Sequence, residues 1–431
     1  MLTRLDLRGA ADDLAARLPR PSMGEAAPPA AVREILAEVR KRGDAAVREY
    51  TERFDGVRIE ELRVAPAQIA AALDSISREL RRALEVARDA VAEHHQRQLR
   101  PDTEHAAGGV VVRDVSRPVA RAGAYVPGGR ARYPSTVLMT AVPAKVAGVG
   151  AVALCVPPGS DGAVAPETLA AAALAGVDEV YCIGGVQAIG ALAYGTETVP
   201  AVDVIVGPGN AWVATAKREV ASEGVVGVPS AFAGPSEVMV VADETAPADY
   251  VAIDLIVQAE HGPDGLAWLV TWSDDVADAV TAAVERLVAG APRRDDIEAT
   301  LRRGGYAAVV DGPDAALAVA NLVAPEHLEL MTADPEAMVA GVRNAGAVFC
   351  GPWSPASIGD YVAGPSHVLP TFGSARYAGA LSVDDFIKRV HVVAADRAGL
   401  ERLAPHVAAL AEAEGLAAHA ASVRLRQEDA P

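Results

Sequence analysis

The sequence contains few aromatic residues and no concentrated positive charge. Only 4% of its 431 residues are aromatic, whereas 51% are apolar, so the core must be built largely from small side chains. This is the composition of a globular protein. The formal net charge is -18, and the densest basic stretch, residues 78–100, also contains many acids. Such a surface repels nucleic acid and anionic membranes, which leaves a small polar molecule or another protein as the expected partner.

Cysteine is also scarce. The chain has three, and no Cys-x-x-Cys spacing occurs. Each lies in or beside an apolar run, which predicts buried free thiols in a reducing cytoplasm. The first residues contain acids and no apolar core, unlike a secretory signal. The longest apolar window, residues 137–156, contains Pro143 and Lys145, so we expect a helix, a turn and a buried strand there instead of a membrane span.

The order of apolar patterns indicates the fold class. A chain of this length is expected to form two or more domains. Between about 136 and 228, apolar runs of strand length alternate with helical patterns, and the alternation restarts after the Pro/Gly-rich connection 226–236. This order predicts βαβ units and two mainly parallel sheets. The first hundred residues and the tail from about 383 have helical patterns.

The glycine fingerprint of dinucleotide-binding proteins, G-x-G-x-x-G, is absent. The stretches "IGGVQAIG" (183–190) and "VGPGN" (206–210) nevertheless follow predicted strands and precede predicted helices. The amino end of a helix can receive a phosphate group. The residues alone therefore permit a phosphate-containing ligand but do not predict NAD.

The stretch "IVQAEHGP" (256–263) places polar groups at the end of an apolar helix. Asp254, Gln258 and His261 follow a 4, 3 spacing and share one helix face. One interpretation is a solvated polar stripe with a histidine at the helix carboxyl end, where the dipole favours it. The other is a set of ligands. This stretch alone leaves both open.

The stretch "APEHLEL" (324–330) places Glu326 and His327 side by side directly after a proline. An adjacent pair in a rigid turn can present a carboxylate and an imidazole to one substrate, and both groups suit proton transfer. The alternative is the first turn of a helix, with Glu326 beside the positive end of the dipole.

Further polar candidates lie in Gly/Pro-rich loops and in the tail. Asp360 and His367 lie in the stretch "SIGDYVAGPSHVLPT", and the tail adds Glu414 and His419. Each alone is a common surface group. Together with the glutamine and histidine above they form a plausible set of oxygen and nitrogen ligands for zinc without thiolates. The His-Glu-x-x-His pattern of zinc peptidases is absent.

Ordered blocks from about residue 30 to 425 resemble the histidinol dehydrogenase family. These blocks are "YVPGGRARYPSTVLMTAVPAKVAGV", "GGVQAIGALAYGT", "DVIVGPGNAWVATAKR", "AGPSEVMVVAD", "QAEHGP", "EHLEL", "NAGAVFCG", "GDYVAGPSHVLPT" and "AEAEGLAAHA". The family oxidises L-histidinol through the aldehyde to L-histidine with two NAD and one water. It is a homodimer of α/β domains related to the Rossmann fold that lack the glycine fingerprint.

The resemblance implies a role for individual residues. The implied zinc ligands are Gln258, His261, Asp360 and His419. The implied catalytic residues are Glu326 and His327. Besides the ligands and His327, the implied substrate contacts are Ser236, His367 and Glu414, and the implied NAD contacts are Tyr125, Gln187 and Asn210. Asp254 is then our candidate for a residue that supports the zinc ligands without touching the metal.

The resemblance also implies how the chain is divided. We expect an α/β fold with two Rossmann-like parallel-sheet domains, a helical amino-terminal segment and a helical tail. The expected divisions are 1–25, a helical arm; 26–122 with 236–382, the domain with the catalytic and zinc residues; 123–235, the domain with the NAD contacts; and 383–431, a tail that crosses to the partner subunit.

A spacing in the tail bears on this crossing. Glu414 and His419 are five residues apart, roughly 140° around a regular helix, so they can face one site only if Gly415 breaks the helix. The family's tail lends these residues to the partner subunit.

Three positions depart from the family pattern, namely Gly262, Trp212 and Ser366. None is a ligand or catalytic position, but they put the fine substrate geometry in question.

Other functions stay open at this point. Relatives of the family oxidise other small alcohols, such as sulfonated diols, although Glu414 favours a cationic substrate. A zinc hydrolase that uses Glu326 to activate water would need no NAD. An inactive α/β binding protein is a third alternative.

Overall fold

The computed structural model describes residues 1–10, 12–19, 27–128, 132–229, 236–260, 262 and 265–428. The strands, in chain order, are β1 (Thr3–Asp6), β2 (Thr103–Ala107), β3 (Val110–Pro118), β4 (Arg121–Tyr125), β5 (Ala151–Cys155), β6 (Glu179–Tyr181), β7 (Val204–Val206), β8 (Glu237–Ala242), β9 (Leu266–Thr271), β10 (Gly305–Val309), β11 (His327–Met331), β12 (Ala347–Cys350) and β13 (Ile387–Ala395).

The α-helices, in chain order, are α1 (Leu14–Arg17), α2 (Pro29–Arg42), α3 (Asp44–Asp55), α4 (Pro66–Ser75), α5 (Arg78–Gln96), α6 (Pro134–Val146), α7 (Pro166–Ala175), α8 (Gly185–Tyr194), α9 (Ala211–Ser222), α10 (Ala248–Ala259), α11 (Asp274–Ala289), α12 (Arg294–Gly304), α13 (Pro313–Val323), α14 (Pro335–Val339), α15 (Ala356–Tyr361), α16 (Arg397–Ala413) and α17 (Ala417–Glu428). Short 3-10 helices span Ser374–Arg376 and Val383–Phe386.

The larger sheet has six parallel strands in the order β1-β10-β9-β8-β11-β12. Every residue of β8, β9 and β11 is buried, because helices cover both faces of the sheet. One face packs on α10, α11 and α12, and the other packs on α13 and on the amino-terminal segment. The continuous apolar runs that predicted buried parallel strands are thereby explained.

The smaller sheet has four parallel strands in the order β6-β5-β4-β7. Its core includes α6 to α9 and also α2 to α5. Gly190 on α8 allows a close approach of α2, since a Cβ there would lie 3.2 Å from Val39 and 3.3 Å from Leu36. Residues 29–96 therefore pack with the four-stranded sheet. This differs from the expected grouping of 26–122 with 236–382, because an amphipathic pattern predicts a buried face but not the sheet that covers it.

The two ends of the chain also differ from the helical expectation. Thr3–Asp6 forms β1, which pairs with β10 at the edge of the six-stranded sheet, and among the described residues before 20 only Leu14–Arg17 is helical. In the tail, Ile387–Ala395 forms β13, which pairs with β3 in a three-stranded antiparallel sheet, and helices begin at Arg397. In both segments, pairing with a strand that is distant in sequence determines the extended conformation. None of the helices in the described part of the chain is both long enough and apolar enough to cross a membrane.

Candidate active site

The candidate site lies at the amino ends of β8 and β11, which are neighbours in the six-stranded sheet. Ser236 directly precedes β8, and His327 is the first residue of β11. Before it, α13 ends and Ala324 adopts a left-handed conformation with φ of 54°. The turn expected in "APEHLEL" is therefore confined to residues 324–326, and residues 327–331 form a buried strand instead of the first turn of a helix.

Glu326 is buried and held by donors from β8. Its Oε2 atom accepts a hydrogen bond from the backbone N–H of Glu237 at 2.8 Å and another from the hydroxyl of Ser236. Burial, the largest influence, raises the pKa of the Glu326 carboxyl above its ordinary value. A buried carboxylate with a raised pKa is a stronger base than an exposed one.

Glu237 is a part of this site that the sequence analysis missed. Its carboxyl accepts hydrogen bonds from the backbone N–H groups of Glu326 and Phe372, so each of the two glutamates binds the backbone of the other. Burial and then the charge of Glu326 raise the pKa of Glu237 to about 8. Phe372 has a φ of 51°, which is unusual for a residue with a side chain. The one signal in the sequence that could have indicated its role is the presence of an acid in the apolar strand "EVMVVA".

His327 is buried, and its two ring nitrogens have different partners. Nδ1 lies 3.0 Å from the carbonyl oxygen of Glu237, which can only accept, so Nδ1 carries a proton. Nε2 lies 3.3 Å from Oδ1 of Asp360. Burial alone would lower the pKa of His327, but Glu326, Asp360 and the Glu237 carbonyl together raise it to about 9. Nε2 is therefore the atom that can exchange a proton with a ligand.

Asp360 and His367 connect the site to the smaller sheet. His367 lies 2.8 Å through Nδ1 from the carbonyl oxygen of Asp360 and 3.0 Å through Nε2 from the hydroxyl of Thr136 on α6. A cavity of about 380 Å³ lies beside Asp360 and is lined by residues of α5, α6, α10 and α15. Its size suits a small ligand. The site thus lies where the helices of the two sheets meet.

Gln258 has the properties expected of a metal ligand. It is buried at the end of α10, and its Oε1 lies 3.2 Å from the hydroxyl oxygen of Ser236, whose one proton is donated to Glu326. The other amide atom, Nε2, is buried without a partner among the described residues. Oxygen and nitrogen of an amide are interchangeable by a flip, so an acceptor oxygen can face that unpartnered position. The amide of Gln258, the carboxylate of Asp360 and histidine nitrogens form a donor set that suits zinc.

Of the four predicted zinc ligands, Gln258 and Asp360 lie at this site, and His419 lies on the tail. His261 lies outside the described residues. Within the described ranges, no group of three or more His, Cys, Asp or Glu side chains is arranged to hold a metal ion. Glu414 and His419 are exposed on the tail, where α16 and α17 pack on each other. Gly415 has a φ of 73° and separates the two helices, so the helix break that the spacing of Glu414 and His419 requires is present.

The three residues expected to contact NAD lie at the carboxyl ends of strands in the smaller sheet. Tyr125 ends β4, and its hydroxyl accepts a hydrogen bond from the N–H of Gly185 at 3.1 Å. Gln187 is fully buried on α8, and both of its amide atoms are without partners among the described residues. Asn210 caps α9 by accepting hydrogen bonds from two backbone N–H groups, each at 3.1 Å.

These residues surround the point where the strand order reverses. The chain runs from β4 outward to β6 and returns to β7 on the other side of β4. Open α/β sheets usually bind ligands at such a point. Gly207 follows β7 with a φ of 103°, and a Cβ there would lie 2.1 Å from the carbonyl oxygen of Tyr125. The turn after β7 and the end of β4 therefore approach each other closely at this point, which requires glycine at 207.

The structure describes all three departures from the family pattern. The hydroxyl of Ser366 donates to the carbonyl oxygen of Met139 at 3.0 Å, and thus joins the loop after α15 to α6. Trp212 is 39% exposed at the start of α9. Gly262 has a φ of 142°, which favours glycine.

The fold and the site define a class of protein. It is an α/β protein with a buried glutamate–histidine pair at the amino edge of one parallel sheet, joined through His367 and α6 to a second parallel sheet with a crevice where its strand order reverses. The chain belongs to the histidinol dehydrogenase family, whose sequence model matches residues 18–427.

Individual relatives match along nearly their whole length. The chain is 50% identical to histidinol dehydrogenase from Parasynechococcus marenigrum over 91% of this chain and 89% of the relative. It is 49% identical to that from Moorella thermoacetica over 93% of this chain and 94% of the relative. The crystal structure of histidinol dehydrogenase from Elizabethkingia anophelis matches with a TM-score of 0.94 at 34% identity, covering 99% of this chain and 98% of that one. The expected family and fold class are confirmed.

Proposed function

We propose that the protein oxidises L-histidinol to L-histidine through L-histidinal, with two NAD and one water, as the last step of histidine biosynthesis. Membership of the family supports the reaction. The observation that carries it is the buried pair Glu326–His327, which combines a carboxylate of raised pKa with an imidazole whose Nε2 can exchange a proton. The cytoplasm is the proposed location, in keeping with three free cysteine thiols.

The proposed metal is one zinc ion per subunit. Gln258, His261 and Asp360 would hold it together with His419 of the partner subunit. The unpartnered amide atom of Gln258 supports this assignment. Asp360 supplies the one negative charge, and zinc when bound would act as a template for the amino and imidazole nitrogens of histidinol.

In the first oxidation, His327 accepts the hydroxyl proton of histidinol at Nε2. A hydride leaves the carbinol carbon for NAD, and the alcohol becomes the aldehyde. The carbonyl of Glu237 keeps Nδ1 protonated, so the ring presents a lone pair at Nε2 once that nitrogen is neutral. Burial of the pair excludes water that would otherwise compete for the proton.

In the second oxidation, Glu326 removes a proton from a water molecule while the water oxygen adds to the aldehyde carbon. His327 gives a proton to the carbonyl oxygen during this addition, and it takes a hydroxyl proton back as the hydrate loses a hydride to a second NAD to give the acid. Ser236 and the N–H of Glu237 orient the Glu326 carboxylate through Oε2. We assign Ser236, His367 and Glu414 to substrate binding, with the carboxylate of Glu414 facing the cationic amine.

We place NAD in the crevice of the smaller sheet, in contact with Tyr125, Gln187 and Asn210. Support comes from the buried amide of Gln187, which finds no protein partner among the described residues, and from the strand reversal between β4 and β7. The helices α8 and α9 direct their amino ends toward this crevice, which favours the negative pyrophosphate.

We propose a homodimer in which the tail of each subunit completes the site of the other. The tail and β13 expose large apolar side chains, including Leu410 at 67%, Val393 at 66% and Leu425 at 58%. Exposed apolar surface of this kind is typical of an interface. The exposure of Glu414 and His419 within one chain is also consistent with a role in the partner's site.

The first experiment measures the number of NADH molecules formed per L-histidinol consumed. It is done with and without a chelator whose effect zinc reverses. We expect two NADH, lost on chelation. One NADH would contradict the assigned role of Glu326. No NADH from folded, zinc-loaded protein would refute the proposed substrate and favour another small alcohol.

A mixing experiment tests the shared site. A His261→Ala chain and a His419→Ala chain are each expected to be inactive. In a mixed dimer one site would retain both histidines, so random reassortment should restore roughly a quarter of wild-type activity. The matched control mixes each variant with itself. No recovery, with mixed dimers detected by mass spectrometry, would contradict crossing of the tail.

A further inference from the structure

A pair of buried acids lies directly behind the candidate site. Glu329 on β11 is 1% exposed, and Asp254 on α10 is 8% exposed. After burial, the charge of Asp254 and a hydrogen bond with its carboxyl are the influences that raise the pKa of Glu329, so the two carboxyls lie close together. Two ionised carboxylates cannot form such a bond, so one of them must carry a proton. Burial raises the pKa of both groups, and of Glu329 strongly, which keeps a proton in the pair.

The remaining contacts of Glu329 show that it joins separate elements. Its Oε1 accepts a hydrogen bond from the backbone N–H of Ala356 at 2.9 Å. Ala356 is the first residue of α15, where backbone N–H groups lack partners within the helix. Its Oε2 is buried and has no hydrogen-bond partner among the described residues, so it is the oxygen free to share a proton with the neighbouring Asp254 carboxyl.

The pair therefore touches the three elements that carry Gln258, His327 and Asp360, namely α10, β11 and α15. Glu329 follows His327 by two residues on β11 and shares its face of the strand. Asp254 precedes Gln258 by four residues and shares its face of α10. Ala356 precedes Asp360 by four residues in α15.

The acids have an energetic cost that an apolar pair would not have. Burying two carboxyls removes them from water, and well-packed apolar residues in their place often leave stability unchanged or higher. What an apolar pair cannot supply is a set of directed bonds between strand and helices. Outer groups that orient ligands typically alter metal affinity or activity by 10–100-fold when removed.

We propose that Asp254 and Glu329 are positioning residues that hold Gln258, His327 and Asp360 in one arrangement through their mutual hydrogen bond and the bond to Ala356. This inference rests on the proposed function, in which Gln258 and Asp360 bind zinc and His327 transfers protons. It adds that zinc affinity depends on hydrogen bonds made by groups that do not touch the metal.

The test compares Glu329→Gln with Glu329→Met. A glutamine retains both bonds, since its oxygen can accept from Ala356 and its amide can donate to Asp254. A methionine has a similar volume and makes neither bond. The matched control is Leu330→Val, on the next residue of β11, whose side chain packs in the cluster on the other face of the sheet. The readouts are the zinc dissociation constant, by competition with a chromogenic chelator, and kcat and KM for L-histidinol.

We expect Glu329→Gln to stay within about twofold of wild type and Glu329→Met to lose roughly 10–100-fold in zinc affinity, with a lower kcat. Leu330→Val should lower Tm without changing zinc affinity. Equal zinc affinity and kcat in the methionine variant, or equal impairment in the glutamine variant, would overturn the inference.

Two further outcomes are separated by design. Wild-type protein that binds no zinc or does not oxidise L-histidinol would refute the proposed function itself, before any variant is compared. If Glu329→Met fails to fold, Asp254→Leu removes the same hydrogen bond from α10. Unchanged zinc affinity in that variant would also overturn the inference.

Discussion

The two parallel sheets of this protein present opposite edges to their candidate ligands. The six-stranded sheet offers the amino ends of β8 and β11, where Ser236, Glu326 and His327 lie. The four-stranded sheet offers the carboxyl ends of β4 and β7, where Tyr125 and Gly207 lie. Most open α/β sheets bind ligands only at carboxyl ends.

The helices explain why the two edges suit different ligands. In a parallel sheet each helix runs back against the strands. Consequently α10 and α13 direct their carboxyl ends, with partial negative charge, toward the amino edge of the larger sheet. That edge suits a metal cation, an imidazolium and a cationic substrate. At the carboxyl edge of the smaller sheet, α8 and α9 direct their amino ends, with partial positive charge, toward the crevice, which suits a pyrophosphate.

The side chains follow the same division. The amino edge contains the acids Glu326 and Asp360, whose charges, with the backbone carbonyl of Glu237, raise the pKa of His327 against the effect of burial. The carboxyl edge contains neutral groups, namely Tyr125, Gln187 and Asn210. Under the proposed function, the amino edge transfers protons, and the carboxyl edge binds NAD through neutral groups.

The largest effect is expected from Glu326→Gln at the amino edge. The amide can still accept hydrogen bonds from Ser236 and Glu237 but cannot take a proton from water. Oxidation of L-histidinal should therefore slow by about 10²–10⁴-fold, and oxidation of L-histidinol to L-histidinal much less. The measurement is kcat with each substrate, with Tm as a control for folding. Equal losses with the two substrates would contradict the division of labour between Glu326 and His327.

A smaller effect is expected from Gln187→Met at the carboxyl edge. The variant removes the amide proposed to contact NAD, so KM for NAD should rise by about tenfold, as expected for one lost hydrogen bond to a charged or strongly polar group. Because both amide atoms lack protein partners among the described residues, Tm without NAD should not fall. Saturating NAD should restore kcat. An unchanged KM for NAD in a folded variant would contradict the proposal that NAD binds beside Gln187.

The effect expected from Glu237→Gln concerns stability and leaves the chemistry of the site in place. The pKa of Glu237 is about 8 in the folded protein against an ordinary value of 4.5. A raised pKa means that the folded state binds the proton more tightly. The resulting stability is full below about pH 4.5, is lost as the pH rises, and is gone above about pH 8.

Glutamine does not titrate, so the variant should lack this part of the pH dependence. The difference in Tm between variant and wild type should move in favour of the variant between about pH 5.5 and 7.5, with up to about 1.4 kcal/mol per pH unit from this group. The surface variant Glu244→Gln is the control. A constant difference across this range would mean that Glu237 is ionised throughout.

Local patterns predicted much of the fold. The strands and helices between residues 151 and 222 lie where apolar runs of strand and helix length alternate, because each run reflects burial of one short element. The adjacency of Glu326 and His327 and the helix break at Gly415 are likewise local properties. They could be predicted because they depend on neighbouring residues and on backbone conformation.

Other features depend on contacts between distant parts of the chain. The strand character of Thr3–Asp6 and Ile387–Ala395 comes from pairing with β10 and β3, hundreds of residues away. The roles of Glu237 and Glu329 could not be predicted either, because an acid in an apolar strand has no meaning until its partners are known.

The sequence by itself determined the class of fold, the family and the residue types available for the chemistry, since periodicity and ordered motifs are properties of the chain. Only the tertiary structure decided that α2 to α5 cover the smaller sheet, that the amino edge of one sheet is joined to the helices of the other through His367 and Thr136, and that buried acids surround His327. The physical reason is that burial and electrostatic interaction depend on distance in space, which a linear pattern does not contain.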